Sequence, residues 1–266
     1  FNIKLKNMIY RNTLLSITLY FISFTLSAQD IWSPLESMKI KSISQTEISN
    51  DGKSIAYVVR EPVMEGKKSE YLSQIWVTDI ESKENIQYTF NQKSSSSPKF
   101  SPDGKKIAFL SSRSGKNQIW IMNTLGGEAR MLTKEKKGVR SIKWSPDGKM
   151  ISFLKSDDDT EDEIKSKENK TDVILVDKNF KYSHIYSYHL DEDTVTQVTS
   201  GNYSVNSFDY SPNGKKIIFS HQEDTNINTG FINTDISVID SDGKNLRLLV
   251  DRPGRDGNPI FSGDGN

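Results

Sequence analysis

Six carboxylates fall between residues 157 and 163: Asp157, Asp158, Asp159, Glu161, Asp162 and Glu163. Grouped carboxylates can ligate a hard cation through oxygen, or offset the charge of a substrate amine. Glu161, Asp162 and Glu163 are the candidates for the second role, and the plainer reading of the run is a solvated loop tip. A metal centre is not expected. His184, His189 and His221 share no ligand-like spacing, and the chain has no cysteine to supply a thiolate. Asp240-Ser241-Asp242-Gly243 opens like a calcium loop but lacks the acidic residue needed near its twelfth position, so it reads as a hairpin turn. No cofactor is expected either.

Lys and Arg number 35, as do Asp and Glu, so the formal net charge is zero. The two signs are interspersed, and the basic stripe that a phosphate backbone requires is missing. Nucleic acid is therefore not an expected partner. With 34% hydrophobic and 26% charged residues, the 266-residue chain has the composition of a folded protein. Without cysteine there is no disulfide and no Cys nucleophile, so the apolar core alone must hold it together.

Residues 1–28 read as a targeting segment. Lys4, Lys6 and Arg11 precede the apolar run from Leu14 to Ala28, which has the length of a signal-peptide core rather than of a membrane span. Met8 is the expected start, and cleavage after Ala28 is expected to leave 29–266 as an exported chain with no membrane span.

One motif dominates the rest. FSPDGKKIAFL at 100–110 returns as WSPDGKMISFL at 144–154 and YSPNGKKIIFS at 210–220, with a looser copy from Ile48 and a short one, FSGDGN, at 261–266. The third residue of each turn, Asp51, Asp103, Asp147, Asn213 and Asp264, marks its position. A second marker is a strand-like run centred on Trp76, Trp120, Tyr186 and Ser237. From second marker to next turn (76 to 103, 120 to 147, 186 to 213, 237 to 264) the interval is always 27. From turn to second marker it is 25, 17, 39 and 24. All length variation thus lies in one connection of each repeat.

Each unit reads as four short strands, since its apolar runs are rich in Ile, Phe and Trp and bounded by turn residues. Helix is disfavoured throughout. Ser-Pro-Asp-Gly places Pro where φ is already near −65° and Gly where a left-handed residue closes the hairpin. Asp51, Asp103, Asp147 and Asp264 are accordingly turn formers, not catalytic groups. Four-stranded units at this spacing predict an all-β fold: blades of a β-propeller, about four complete and a fifth begun. The variable connections then emerge together on one face, and the longest runs from Ser156 to Ser183. His184 takes the place of Gln74 and Gln118 in its repeat, which makes it structural.

The pattern SPDGKKIAFLSSR followed by QIWIMNTLGGEARMLT resembles the propeller repeats shared by the Tol-system propeller protein and prolyl-oligopeptidase-family serine peptidases. The stretches at 172–222 and 235–265 are similar to blades of the exported acylaminoacyl-peptidase and dipeptidyl-peptidase branch. The resemblance covers nearly all of residues 31–266. It implies a propeller that gates short peptide substrates for an α/β-hydrolase domain of the same chain, whose Ser nucleophile lies in a G-x-S-x-G elbow, followed by Asp and His. No G-x-S-x-G occurs in the 266 residues, so no catalytic residue is assigned here and the hydrolase domain is expected beyond Asn266. In dipeptidyl-peptidase relatives acidic propeller residues hold the substrate amino terminus; the sequence around Glu161, Asp162 and Glu163 does not match that motif. The competing expectation is a periplasmic or surface propeller that binds partners on its loop face and has no hydrolase domain.

Overall fold

Every SPDG-like turn closes in the same way in the computed structural model, which describes residues 33–66, 68–171, 180–223 and 233–265. The expected signal peptide lies outside these residues. In the third turn the Ser145 hydroxyl donates to Asp147 Oδ1 at 2.6 Å and accepts from the Met150 N–H at 2.9 Å. Asp147 Oδ1 also accepts from the Lys149 N–H at 3.0 Å, and the Gly148 N–H donates to Ser145 O at 2.9 Å with Gly148 at φ +71°. Ser101 with Asp103, Ser211 with Asn213, and Ser49 with Asp51 repeat these contacts. These side chains are consumed in satisfying backbone groups that the hairpin leaves unpaired. The turn-forming assignment of Asp51, Asp103 and Asp147 holds, and Asp264 accepts from Ser262 likewise.

The chain divides into two units, 1–40 and 41–266. The described part of the first holds one short helix, α1 (Pro34–Met38), capped by the Ser33 hydroxyl accepting from the Glu36 N–H. The second holds four antiparallel sheets, each with its strands in sequence order. Blade one is β1 (Ser42–Ile48), β2 (Ser54–Glu65), β3 (Lys68–Asp79) and β4 (Asn85–Gln87). Blade two is β5 (Ser95–Phe100), β6 (Lys106–Ser111), β7 (Gln118–Asn123) and β8 (Arg130–Met131). Blade three is β9 (Arg140–Trp144), β10 (Met150–Ser156), β11 (Ser183–His189) and β12 (Thr194–Gln197), with a helix, α2 (Glu161–Glu168), between β10 and β11. Blade four is β13 (Ser204–Tyr210), β14 (Lys216–Gln222), β15 (Asn233–Asp240) and β16 (Arg247–Val250). A two-residue strand, β17 (Gly254–Arg255), pairs with β15 in parallel.

The constant interval follows from register. Tyr57 faces Trp76, Phe109 faces Trp120, Phe153 faces Tyr186 and Phe219 faces Ser237 across the second and third strands. Each second marker is thus fixed opposite the same residue of its blade. Everything from there to the next turn is built to one length, and the connection at the other end of the sheet is left to vary.

Three cores lie between successive blades. Ala56, Val58, Ile75 and Val77 meet Phe100, Ile107, Phe109 and Met122. Ala108, Leu110, Ile119 and Ile121 meet Ile142, Ile151 and Phe153. Leu154 and Ile185 meet Val205, Phe208, Ile217 and Phe219. Phe109, Phe153 and Phe219 are fully buried, each contributing about 1.5–3 kcal/mol relative to exposure. The turns also touch: a Cβ on Gly148 would lie 3.5 Å from Pro102 Cδ, one on Gly214 3.4 Å from Pro146 Cδ, and one on Gly265 3.6 Å from Pro212 Cδ. Blade one has Asn50 in the proline position, and its amide donates to Pro102 O at 2.9 Å. Farther in, Lys99 pairs with Glu47 at 2.5 Å, Lys143 with Asp209 at 2.6 Å, and Trp144 Nε1 donates to Lys99 O at 3.0 Å.

A second repeating network ties the third strand to the segment after the fourth. Thr89 Oγ1 accepts from the Ile75 N–H at 2.9 Å and donates to Gln74 Oε1 at 2.6 Å. Thr133 does the same with Ile119 and Gln118. In blade three Thr199 Oγ1 accepts from the Ile185 N–H at 2.9 Å and lies 3.3 Å from Nδ1 of buried His184. His184 therefore does the work of the glutamines. Burial pushes its pKa below the ordinary 6.5.

The helix α2 departs from the all-strand reading. Thr160 and Glu163 form a reciprocal capping box, with the Thr160 N–H donating to Glu163 Oε2 at 2.7 Å and the Glu163 N–H to Thr160 Oγ1 at 3.3 Å. Thr-x-x-Glu within an acidic run is both a helix start and a polar loop in composition, and the capping contacts decide it. Asp157 to Asp159 precede the helix and are half-buried, not a solvated tip.

Two outcomes follow. Ser145→Ala strips the third turn of a donor and an acceptor and should cost roughly 1–3 kcal/mol, or about 2–4 °C in melting midpoint per kcal/mol, measured by calorimetry. His184→Gln should preserve the midpoint at pH 8. Because the folded state disfavours the charged imidazole, the wild type should lose stability as pH falls below about 6.5, and the His184→Gln slope should be shallower.

Candidate functional site

The end of the sheets opposite the turns carries the variable connections, and there the acidic run is already engaged. Asp159 pairs with Lys137 and Lys167, each at 2.7 Å, and the two ammonium groups lower its pKa to about 2. Glu163 pairs with Lys181 at 2.6 Å, and that contact with its capping role holds it below the usual range. Asp157 Oδ2 accepts from the Tyr182 N–H at 2.9 Å. Lys155 lies 2.7 Å from Glu135 and 3.8 Å from Asp158. Glu161 and Asp162 stay exposed in the first turn of α2, where their charge complements the positive end of the helix dipole. Of the three candidates, then, Glu163 is committed to a lysine and a cap, while Glu161 and Asp162 face solvent. Among the described residues no three His, Asp or Glu side chains are placed to hold one metal ion. The Asp240 to Gly243 segment is a hairpin turn, with Gly243 N–H donating to Asp240 O at 2.8 Å and Asp240 held by Lys216 and Asn245.

Blade four breaks the glutamine–threonine network. Asp235 stands two residues before Ser237, where Gln74, Gln118 and His184 stand before their markers. Thr89, Thr133 and Thr199 lie 14 residues past Ile75, Ile119 and Ile185; the same step from Ile236 reaches Val250. Among the described residues, Asp235 Oδ1, His221 Nδ1 and Tyr203 Oη are buried and meet no hydrogen-bond partner. His221 Nε2 lies 2.8 Å from Ser237 Oγ, and its ring centroid is 5.0 Å from that of Tyr203. Burial raises the Asp235 pKa and lowers that of His221.

A cleft of roughly 410 Å³ opens between blades two and three at the same end, with Lys116, Lys137 and Arg140 on its walls and Leu154 in its floor. Arg140 Nη2 donates to Ser183 Oγ at 2.9 Å and to Val205 O at 3.2 Å. The opposing segments are locked together: Val139 N–H donates to Asn117 O at 2.8 Å, and Gly138, at φ +80°, lies so close that a Cβ would meet that oxygen at 2.9 Å. These cations were not among the sequence candidates. The available signal was that position 140 breaks its repeat.

Residues 63–181 match the TolB beta propeller domain family. Over 76 residues the chain is 34% identical to an uncharacterized peptidase of Bacillus subtilis, covering 29% of this chain and 11% of that one. Its fold is similar to the acylaminoacyl peptidase of Pyrococcus horikoshii (TM-score 0.61, 21% identity, 83% of this chain and 34% of that chain). It is also similar to TolB of Acinetobacter baumannii (TM-score 0.56, 20% identity, 81% and 45%). The chain thus spans less than half the length of each of these proteins. With the repeating turns, four-stranded sheets and inter-blade cores, these matches show an all-β, propeller-like fold in which residues 63–181 match the TolB beta propeller domain.

Proposed function

We propose that these blades belong to the substrate-gating propeller of an exported serine peptidase that hydrolyses short peptides, with the triad supplied by an α/β-hydrolase domain of the same protein. The observation that carries this reading is the 34% identity over 76 residues to a peptidase of B. subtilis. The fold likeness to acylaminoacyl peptidase supports it. In such an enzyme an activated Ser attacks the peptide carbonyl, His takes its proton and oriented N–H groups stabilise the tetrahedral oxyanion. The part played by the blades is exclusion: a scaffold with buried, interlocked sheets admits a flexible peptide and turns away a folded protein.

The full-length protein, treated with a fluorophosphonate probe, should acquire one covalent label and lose hydrolysis of short peptides in parallel. An unlabelled, inactive protein that binds another macromolecule would replace this reading with that of a docking propeller. The acidic candidates are checked separately. Substituting Glu161→Gln, Asp162→Asn and Glu163→Gln together should raise KM about fivefold for peptides with a free amino terminus, the size of a solvated charge pair. Amino-blocked peptides should be unaffected, and an unchanged KM for both would remove these residues from the site.

A further inference from the structure

Seven residues before the turn markers Asp51, Asp103, Asp147 and Asn213 stand Ser44, Ser96, Arg140 and Asn206. Three blades close with a small polar side chain at this position, so the fold does not require a cation there. Arg140 is nevertheless held firmly. Its Nη2 is fixed by Ser183 Oγ and Val205 O, acceptors from blade three and blade four. Among the described residues, Nε and Nη1 meet no acceptor, so each, on its own edge of the guanidinium, keeps a donor free. Although the residue as a whole is exposed, partial desolvation of its guanidinium lowers the Arg140 pKa, and the group still carries its charge at neutral pH.

Lys116, from the loop between β6 and β7, lines the same cleft, is exposed and has no carboxylate partner among the described residues. Lys137 is neutralised by Asp159 at 2.7 Å. Of the nearby carboxylates, Glu135, Asp157 and Asp159 are engaged, by Lys155, by the Tyr182 N–H and by two lysines, while Asp158 lies 3.8 Å from Lys155. Among the described residues the lining contains no carboxylate, and apart from its lysines and Arg140 it is neutral. The volume of roughly 410 Å³ suits a ligand of one or two residues.

We propose that this cleft is a carboxylate-binding site in which Arg140 and Lys116 hold the C-terminal carboxylate of a short peptide. The peptide identity rests on the peptidase reading above; the carboxylate chemistry rests on the cleft. A carboxylate oxygen accepts one charge-assisted hydrogen bond from a free Arg140 donor, with Lys116 supplying a second, mobile charge. The neutral walls accept side chains without selecting strongly among them. Both residues bind and position; neither takes part in bond breaking.

The test uses full-length protein blocked with fluorophosphonate, so that peptides are bound but not cut, and titration calorimetry at low salt. Three tripeptides are compared: a free acid, its C-terminal amide, and an amide ending in Glu. The free acid should bind at least tenfold more tightly than the amide, as expected for charge-assisted hydrogen bonds. Arg140→Gln should bring that ratio close to one, Arg140→Lys should restore part of it, and Lys116→Gln, at an exposed position that cannot disturb folding, should lower it severalfold. Equal binding of acid and amide, or a ratio unchanged in Lys116→Gln and Arg140→Gln, would overturn the site. If the Glu amide binds as tightly as the free acid, the assignment to a C-terminus is overturned in favour of acidic side chains. Probe labelling reports on the peptidase reading independently of this ratio.

Discussion

A four-stranded sheet with apolar side chains on both faces has to be covered on both faces, and here each blade is covered by its neighbours. Phe109 faces blade one while Ala108 and Leu110 of the same strand face blade three, and Leu154 faces blade four beside Phe153, which faces blade two. The second strands of blades two and three are therefore near-continuous apolar runs, unlike the alternating pattern of a half-solvated sheet. Blade one shows the contrast: Ala56 and Val58 are buried against blade two, whereas Ile55, Tyr57 and Val59 on its other side are only half-buried. This mutual burial fixes spacing and rotation between sheets, and the hydrogen-bonded turns, ion pairs and threonine bridges are arranged around it.

The two ends of the sheets serve different physical purposes. At one end the turns satisfy their own backbone groups and pack Pro against Gly of the following turn, which leaves no room for insertion. At the other, loops of differing length and helix α2 are tolerated because the core does not depend on them. Asp235, His221 and Tyr203 lie toward this second end, where the polar network of the earlier blades is replaced by buried atoms that meet no partner among the described residues. Departures from the repeat accumulate where the fold is permissive.

What could be read from sequence is what the fold repeats. The turn residues, the strand order and the fixed interval were legible because each recurs with the same hydrogen bonds and the same cross-strand partner. His184 was legible for the same reason: its place in the repeat, rather than its chemistry, defines its role. Helix α2 was not, since a capping box inside an acidic run has the composition of a loop until Thr160 and Glu163 are seen to bond each other. Nor were the lysine partners of the acidic run, because Lys137, Lys167 and Lys181 approach it from separate segments and no periodicity brings them together. Arg140 stood out from its repeat, yet the acceptors that orient it, Ser183 and Val205, are 43 and 65 residues away in sequence.

The Pro-to-Gly contacts between successive turns bear on motion as well as on packing. Contacts that recur from blade to blade along one end, with only individual bridges such as that from Arg140 at the other, act as a spine. Neighbouring sheets that splay apart will pivot about the turns and separate most at the loop end. The separation of the sheets at that end is then governed by how tightly Pro102, Pro146 and Pro212 sit on the glycines of the turns that follow, at the far end of each sheet.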